Sequence, residues 1–222
     1  MVDDLAGHLA AHDEWTRTLG DAGARLELVG EDLGAIDLSG RDLNGAYLER
    51  CDLSGADLRD AVLAHAVLVG TVLENADLSG AMLGKADLSD VRARGARLHH
   101  TWLVRTDLSG ADLSGADLTR AYLLRTDLTG ADLRGADLRE ADIDRAFVVG
   151  SLWSGATVTD AAGTLAGDGA VLDGTSGELT AAGLAAALTA LGARLVGLDP
   201  AAPRPDAPLP WRWGPDPGAR IR

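Results

Sequence analysis

The groups in this chain that could do chemistry are a few histidines, one cysteine and many carboxylates, and their spacing limits what they can do. His8 and His12 lie four residues apart, the separation that puts two imidazoles on one face of a helix and could hold a metal. No third ligand lies near them in sequence. They read as helix-face residues, and no metal or other cofactor is expected. His99 and His100 are adjacent but have no evident partner that would make either a general base. Cys51 is the only cysteine, so no intrachain disulfide can form. Stacked aspartates could raise one another's pKa and imitate an acid–base pair, yet they form no cleft. No nucleophile–base arrangement, phosphate loop, CxxC or HExxH occurs, and catalysis is not expected.

The residues around these groups follow a five-residue frame. From Glu31 the chain reads EDLGA IDLSG RDLNG AYLER CDLSG and so on through AFVVG, 24 blocks without an insertion. The third position is leucine in 21 blocks, with Ala93, Ile143 and Val148 in the others. The first is alanine in 15 and threonine in four, and Cys51 takes this small, inward position, which makes it a buried thiol. SLWSG and ATVTD continue the frame more loosely to Asp160. A period of five fits neither an α-helix nor a flat strand. A coil that turns a corner after each block does fit: the leucine and the small residue point inward, and stacked coils pair their backbones about 4.8 Å apart.

This pattern resembles the pentapeptide-repeat family, A(D/N)LXX, over about 130 of 222 residues. The resemblance implies an all-β solenoid, a right-handed quadrilateral β-helix with four blocks and 20 residues per coil. The stretch from Thr101 and the next 20 residues agree even at Arg105/Arg125 and Thr106/Thr126, which supports that period. The expected organisation is an N-terminal capping helix and lead-in (1–30), the β-helix (31–160), a C-terminal cap with a helix (161–199) and a Pro/Trp-rich tail (200–222). In the first part Leu5, Leu9, His12, Trp15 and Leu19 fall at helical spacing, with Gly20 as a stop. In the third, a helix is expected over Leu179–Leu191, started by Thr175 or Ser176 and ended by Gly192, then a short strand at Arg194–Leu198. All seven prolines fall in the tail, where Trp211 and Trp213 would fold back on the body or dock on a partner.

Folding the outer positions at period 20 gives the candidate site. One face carries Asp42, Val62, Met82, Trp102, Tyr122 and Asp142 at the second position, and Asn44, Ala64, Gly84, Val104, Leu124 and Asp144 at the fourth. Its corner column reads His65, Lys85, Arg105, Arg125, Arg145, a basic ladder on a chain of net charge −14. Apolar surface rimmed by charge marks an interaction site for a partner or a second copy, although stacked large side chains could also serve only their neighbours, or the Pro/Trp tail of the same chain could fold over this face.

The acidic balance argues against direct binding of nucleic acid or an anionic membrane. No signal peptide is read at Met1-Val2-Asp3-Asp4. The most apolar stretch, Leu179 to Leu198, carries Arg194, so a cytoplasmic location is expected. The expected function is a non-enzymatic protein-interaction scaffold with an unidentified partner. The resemblance also implies an alternative, a DNA-mimicking protein that binds DNA gyrase and protects it against a topoisomerase inhibitor. It further implies a homodimer through the C-terminal end.

Overall fold

The computed structural model describes residues 4–166, 181–190 and 193–197. Its body is built from parallel bridges spaced 20 residues apart, such as Asp32 with Asp52, Asp37 with Asp57, Asp42 with Val62 and Tyr47 with Val67. Each coil therefore makes four bridges, one per block, and the body is four-sided. Within the body, second-position residues donate their N–H to the coil before, and third-position residues donate to the coil after. Asp52 donates to Glu31 at 2.8 Å and Leu53 to Val72 at 2.7 Å. About seven coils at ~4.8 Å make a rod roughly 30 Å long.

Corners follow from the fourth and fifth residues of each block. The first-position N–H bonds back to the third-position carbonyl of the block before it, as Ala46 does to Leu43 at 3.0 Å. This closes a four-residue turn whose third residue is left-handed, the requirement of a type II turn. Gly45 there has φ +69°, but Arg50 adopts +53° and Asp60 +56° at the same position. Second-position aspartates secure the corner: each accepts at Oδ1 from the N–H two residues on, as Asp52 does from Ser54 at 2.9 Å and Asp132 from Arg134 at 3.0 Å. Without that bond the fourth-position N–H has no place in the ladder.

Leucine and small side chains fill the interior. Leu43, Leu63, Leu83, Leu103, Leu123 and Ile143 are fully buried in one column, and Ala61, Ala81, Ala121 and Cys51 are fully buried at first positions. Threonine fits there because its hydroxyl has a fixed acceptor. Thr101 donates to Leu78 at 2.8 Å, Thr106 to Leu83 at 2.7 Å and Thr126 to Leu103 at 2.6 Å. Trp153 takes the leucine position in a late coil, fully buried, with its Nε1 donating to Ser151 Oγ at 2.7 Å.

At the N-terminal end, α1 (Leu5–Arg17) starts at Asp4, whose Oδ1 accepts from Gly7 N–H at 3.1 Å. Leu9 and His12 are buried against the first coil. Gly23 lies so close to the helix that a Cβ there would meet the Ala11 carbonyl at 2.2 Å. Pairing begins one block before Glu31: β1 (Glu27–Val29) runs parallel to β2 (Tyr47–Glu49), and Leu26 and Leu28 are buried. At the other end, β3 (Ala146–Phe147), β4 (Ala162–Ala166) and β5 (Arg194–Gly197) form a parallel sheet in that order. α2 (Ala181–Ala190) packs on β4 and β5 and buries Leu184 and Leu188 in its own chain. Leu179, Leu191, Gly192, Leu198, the Thr175/Ser176 start and the Pro/Trp tail lie outside the described residues.

Candidate interaction face

The period-20 bridges bring the apolar column together. Val62 bridges Met82, Met82 bridges Trp102, Trp102 bridges Tyr122, and Asp42 and Asp142 bridge its two ends. The Trp102 and Tyr122 rings stack with centroids 4.5 Å apart and 26° between planes. All four apolar residues are half-buried, as is Leu124, and Val104 is only 8% exposed. The side chains thus form a flush, packed strip rather than a projecting one. Both ends are acidic. Burial holds the Asp142 carboxyl above its usual pKa, an effect opposed by the Asp144 N–H and aided by the Asp144 charge. Asp144 accepts from Thr164 Oγ1 at 2.5 Å and lies 3.6 Å from Arg145.

Two local stabilisations are absent along this strip. With Val, Met, Trp and Tyr at the second position, no carboxylate is present to accept from the N–H of Ala64, Gly84, Val104 or Leu124. No other column forgoes the aspartate for four successive coils; the column of Glu27, Tyr47 and Val67 does so for three. The flanking corner is also free of glycine for five coils: His65, Lys85, Arg105, Arg125 and Arg145 adopt φ of +59°, +61°, +60°, +58° and +58°. The two following corners each hold glycine in three or more late coils, at Gly110, Gly130 and Gly150 and at Gly95, Gly115, Gly135 and Gly155. The fourth corner also lacks glycine from His100 to Asp160, but there Arg120 and Glu140 pair with each other. A left-handed residue with a Cβ costs about 1–2 kcal/mol. The missing glycines are plain in the sequence, but their meaning depends on knowing that the fifth position is left-handed.

Most of the other candidate groups are held in structural contacts. His12 Nδ1 accepts from Leu26 N–H at 2.9 Å, and its ring stacks on Trp15 with centroids 5.5 Å apart. Burial lowers the His12 pKa, chiefly against the raising effect of Asp42. His8 is exposed, and no cluster of three or more metal-binding side chains occurs among the described residues. His99 Nδ1 lies 2.7 Å from Thr119 Oγ1, and its ring meets His100 edge-on at 4.5 Å. Cys51 is fully buried, and burial raises its thiol pKa. Among the described residues no helix is long and apolar enough to cross a membrane.

The sequence model for pentapeptide repeats matches this chain in eight copies, over residues 32–68, 56–92, 73–110, 94–123 and 106–145. The chain belongs to the pentapeptide repeat family. Pentapeptide-repeat proteins fold as right-handed β-helices, and the four-sided body described above is of that kind. Solved pentapeptide-repeat structures align with it. QnrB1, described as a plasmid-mediated fluoroquinolone resistance protein, is 21% identical, covers 67% of this chain and 90% of its own, and gives a TM-score of 0.33. HetL, described as involved in heterocyst differentiation regulation in the cyanobacterium Nostoc sp. strain PCC 7120, is 23% identical over 80% of this chain and 93% of its own, with a TM-score of 0.31. A pentapeptide repeat protein from the Arabidopsis thaliana thylakoid lumen is 27% identical over 60% of this chain and 65% of its own, with a TM-score of 0.24. A search of curated proteins finds no match.

Proposed function

We propose that this pentapeptide-repeat protein is a non-enzymatic protein-interaction scaffold, a rod closed by helices at both ends and working in the cytoplasm. Its contact surface is the strip of Val62, Met82, Trp102, Val104, Tyr122 and Leu124, with Lys85, Arg105, Arg125 and Arg145 along its edge. The observation that carries this reading is the coincidence of two sacrifices on one face. Four forgone corner bonds cost about 2–6 kcal/mol at 0.5–1.5 kcal/mol each. Five left-handed corners without glycine cost about 0.5–1 kcal/mol each, after allowing for glycine's greater unfolded-state entropy. Contacts between stacked side chains contribute about 0.2–1 kcal/mol per pair over three pairs. Packing alone therefore does not offset the cost, and a role in binding accounts for the rest. The test is a variant carrying Trp102→Ser, Tyr122→Ser and Arg105→Glu. Loss of a partner captured by the native protein, with an unchanged melting curve, supports the reading; unaltered capture removes it.

A second reading is a DNA mimic that binds DNA gyrase. It draws on the column Asp87, Asp107 and Asp127, stacked one coil apart with no ion pair among the described residues. The basic corner works against it, since a mimic of duplex phosphates gains nothing from a row of cations. A gyrase supercoiling assay with and without a quinolone decides; no effect at micromolar protein ends this reading. A homodimer through the C-terminal end would need a surface other than the buried face of α2. Sedimentation at a mass near 22.9 kDa at all concentrations would exclude it.

A further inference from the structure

We infer that the strip and its basic corner receive a short acidic segment of another protein, one that carries carboxylates beside an aromatic or aliphatic anchor. This rests on the reading of the strip as a contact surface and adds the chemistry of the occupant.

The chain has 34 acidic and 20 basic side chains, and most arginines on the other faces find carboxylates, Arg92 and Arg94 being exceptions among the described residues. Arg97 meets Asp77 at 3.3 Å, Arg120 meets Glu140 at 2.8 Å, Arg134 meets Asp132 at 2.5 Å and Arg139 meets Asp137 at 2.6 Å. Two of these pairs join the second and fourth positions of a single block. On the strip the second-position aspartates are replaced by apolar residues, so that source of counter-charge is gone. Lys85, Arg105 and Arg125 make no ion pair among the described residues. Successive bridges keep them one coil apart, so three cations span about 10 Å. Their stacking is unfavourable twice over, in left-handed backbone and in mutual repulsion of up to about 1 kcal/mol per neighbouring pair in water. An external anion would relieve the second term.

The ends of the strip set the length and class of that anion. Asp42 lies at one end, and Asp142 and Asp144 at the other. Between them the apolar column runs for about 14 Å, the length of about five extended residues. Side chains on one edge of such a segment repeat every ~6.8 Å, so two carboxylates fall along the cationic ladder while their neighbours lie on Trp102 and Tyr122. A nucleic acid strand would carry its charge past both acidic ends on a chain of net charge −14, which disfavours it.

The experiment pans a library of random dodecapeptides against the full chain. Enriched peptides are then titrated by fluorescence anisotropy at low and physiological salt against the native protein, Arg105→Glu/Arg125→Glu and Arg105→Gln/Arg125→Gln. The expected result is enrichment of Asp or Glu interleaved with apolar residues, weaker binding at higher salt and at least a tenfold loss on charge reversal. The Gln variant, which keeps the corner geometry without the charge, falls between the two. Enriched peptides without acidic bias, or equal binding to the reversed variant, overturn the proposal. So does tighter binding of a poly-dT oligonucleotide, or preferential binding of a peptide of residues 198–222, which would assign the strip to this chain's own C-terminal segment. If Trp102→Ser/Tyr122→Ser abolishes binding and charge reversal does not, the contact surface stands and the acidic occupant falls. If neither matters, both fall.

Discussion

Replacing Arg105 and Arg125 by glycine should make the protein more stable. Both hold φ near +60°, which costs a residue with a Cβ about 1–2 kcal/mol. Glycine removes that cost but loses about 0.5–1 kcal/mol through the larger entropy of its unfolded chain. The net gain is about 0.5–1 kcal/mol per site. Neither side chain forms an ion pair among the described residues, so none is lost, and removing stacked cations adds a few tenths more at low salt. Arg105→Gly/Arg125→Gly should therefore raise stability by about 1–2 kcal/mol in urea melts fitted by linear extrapolation. Glu140→Gly is the control. It takes the same fifth position of its block at a different corner, φ +58°, but is paired with Arg120 at 2.8 Å, so its net change should be near zero. A loss of more than about 1 kcal/mol in the double variant would refute the reasoning, since it would mean that the cations stabilise the rod itself. A gain in stability with loss of binding is the pattern expected where selection has kept function over stability.

Three further outcomes follow from the interior. Leu108→Asp, at a position 1% exposed, should abolish folding, whereas Asp112→Asn should be nearly silent in the same urea melts because Asn Oδ1 can still accept from Ser114 N–H and Oγ. Cys51 should resist a thiol reagent in the native protein and react fully once urea unfolds it; rapid native labelling would contradict its burial. His12 has its pKa lowered by burial below the ordinary 6.5, so the neutral form favours the fold. Its contribution is complete above pH ~6.5 and declines as pH falls toward the folded-state value. Urea melts of His12→Asn between pH 7.5 and 5 should show a shallower acid loss than the native protein; equal slopes would remove the assignment.

The body is legible in the order of the residues alone, because one leucine and one small residue per five positions can be buried together only by a coil that turns after each block. The strip is legible too: period 20 places Val62, Met82, Trp102 and Tyr122 in one column, and they bridge in that order. Three things are not. Aspartate at the second position reads as solvent-exposed charge, and nothing in its identity announces the Oδ1 bond to the corner N–H. The strain at Lys85 and Arg105 depends on a left-handed φ that no side chain signals. The first paired block, Leu26 to Gly30, departs from the consensus with Glu27 and hides inside the lead-in, although Leu28 at the third position is its trace.

The claim that this strip is the contact surface is tested most directly by site-specific photo-crosslinking in cells. A benzophenone amino acid is introduced at position 122 on the strip and, separately, at position 117 in an aspartate column, each in an otherwise unchanged chain. Adducts to another protein should form from position 122, be absent from position 117 and disappear when Arg105→Glu is added. Adducts of equal yield from both positions, or from position 117 alone, would contradict it.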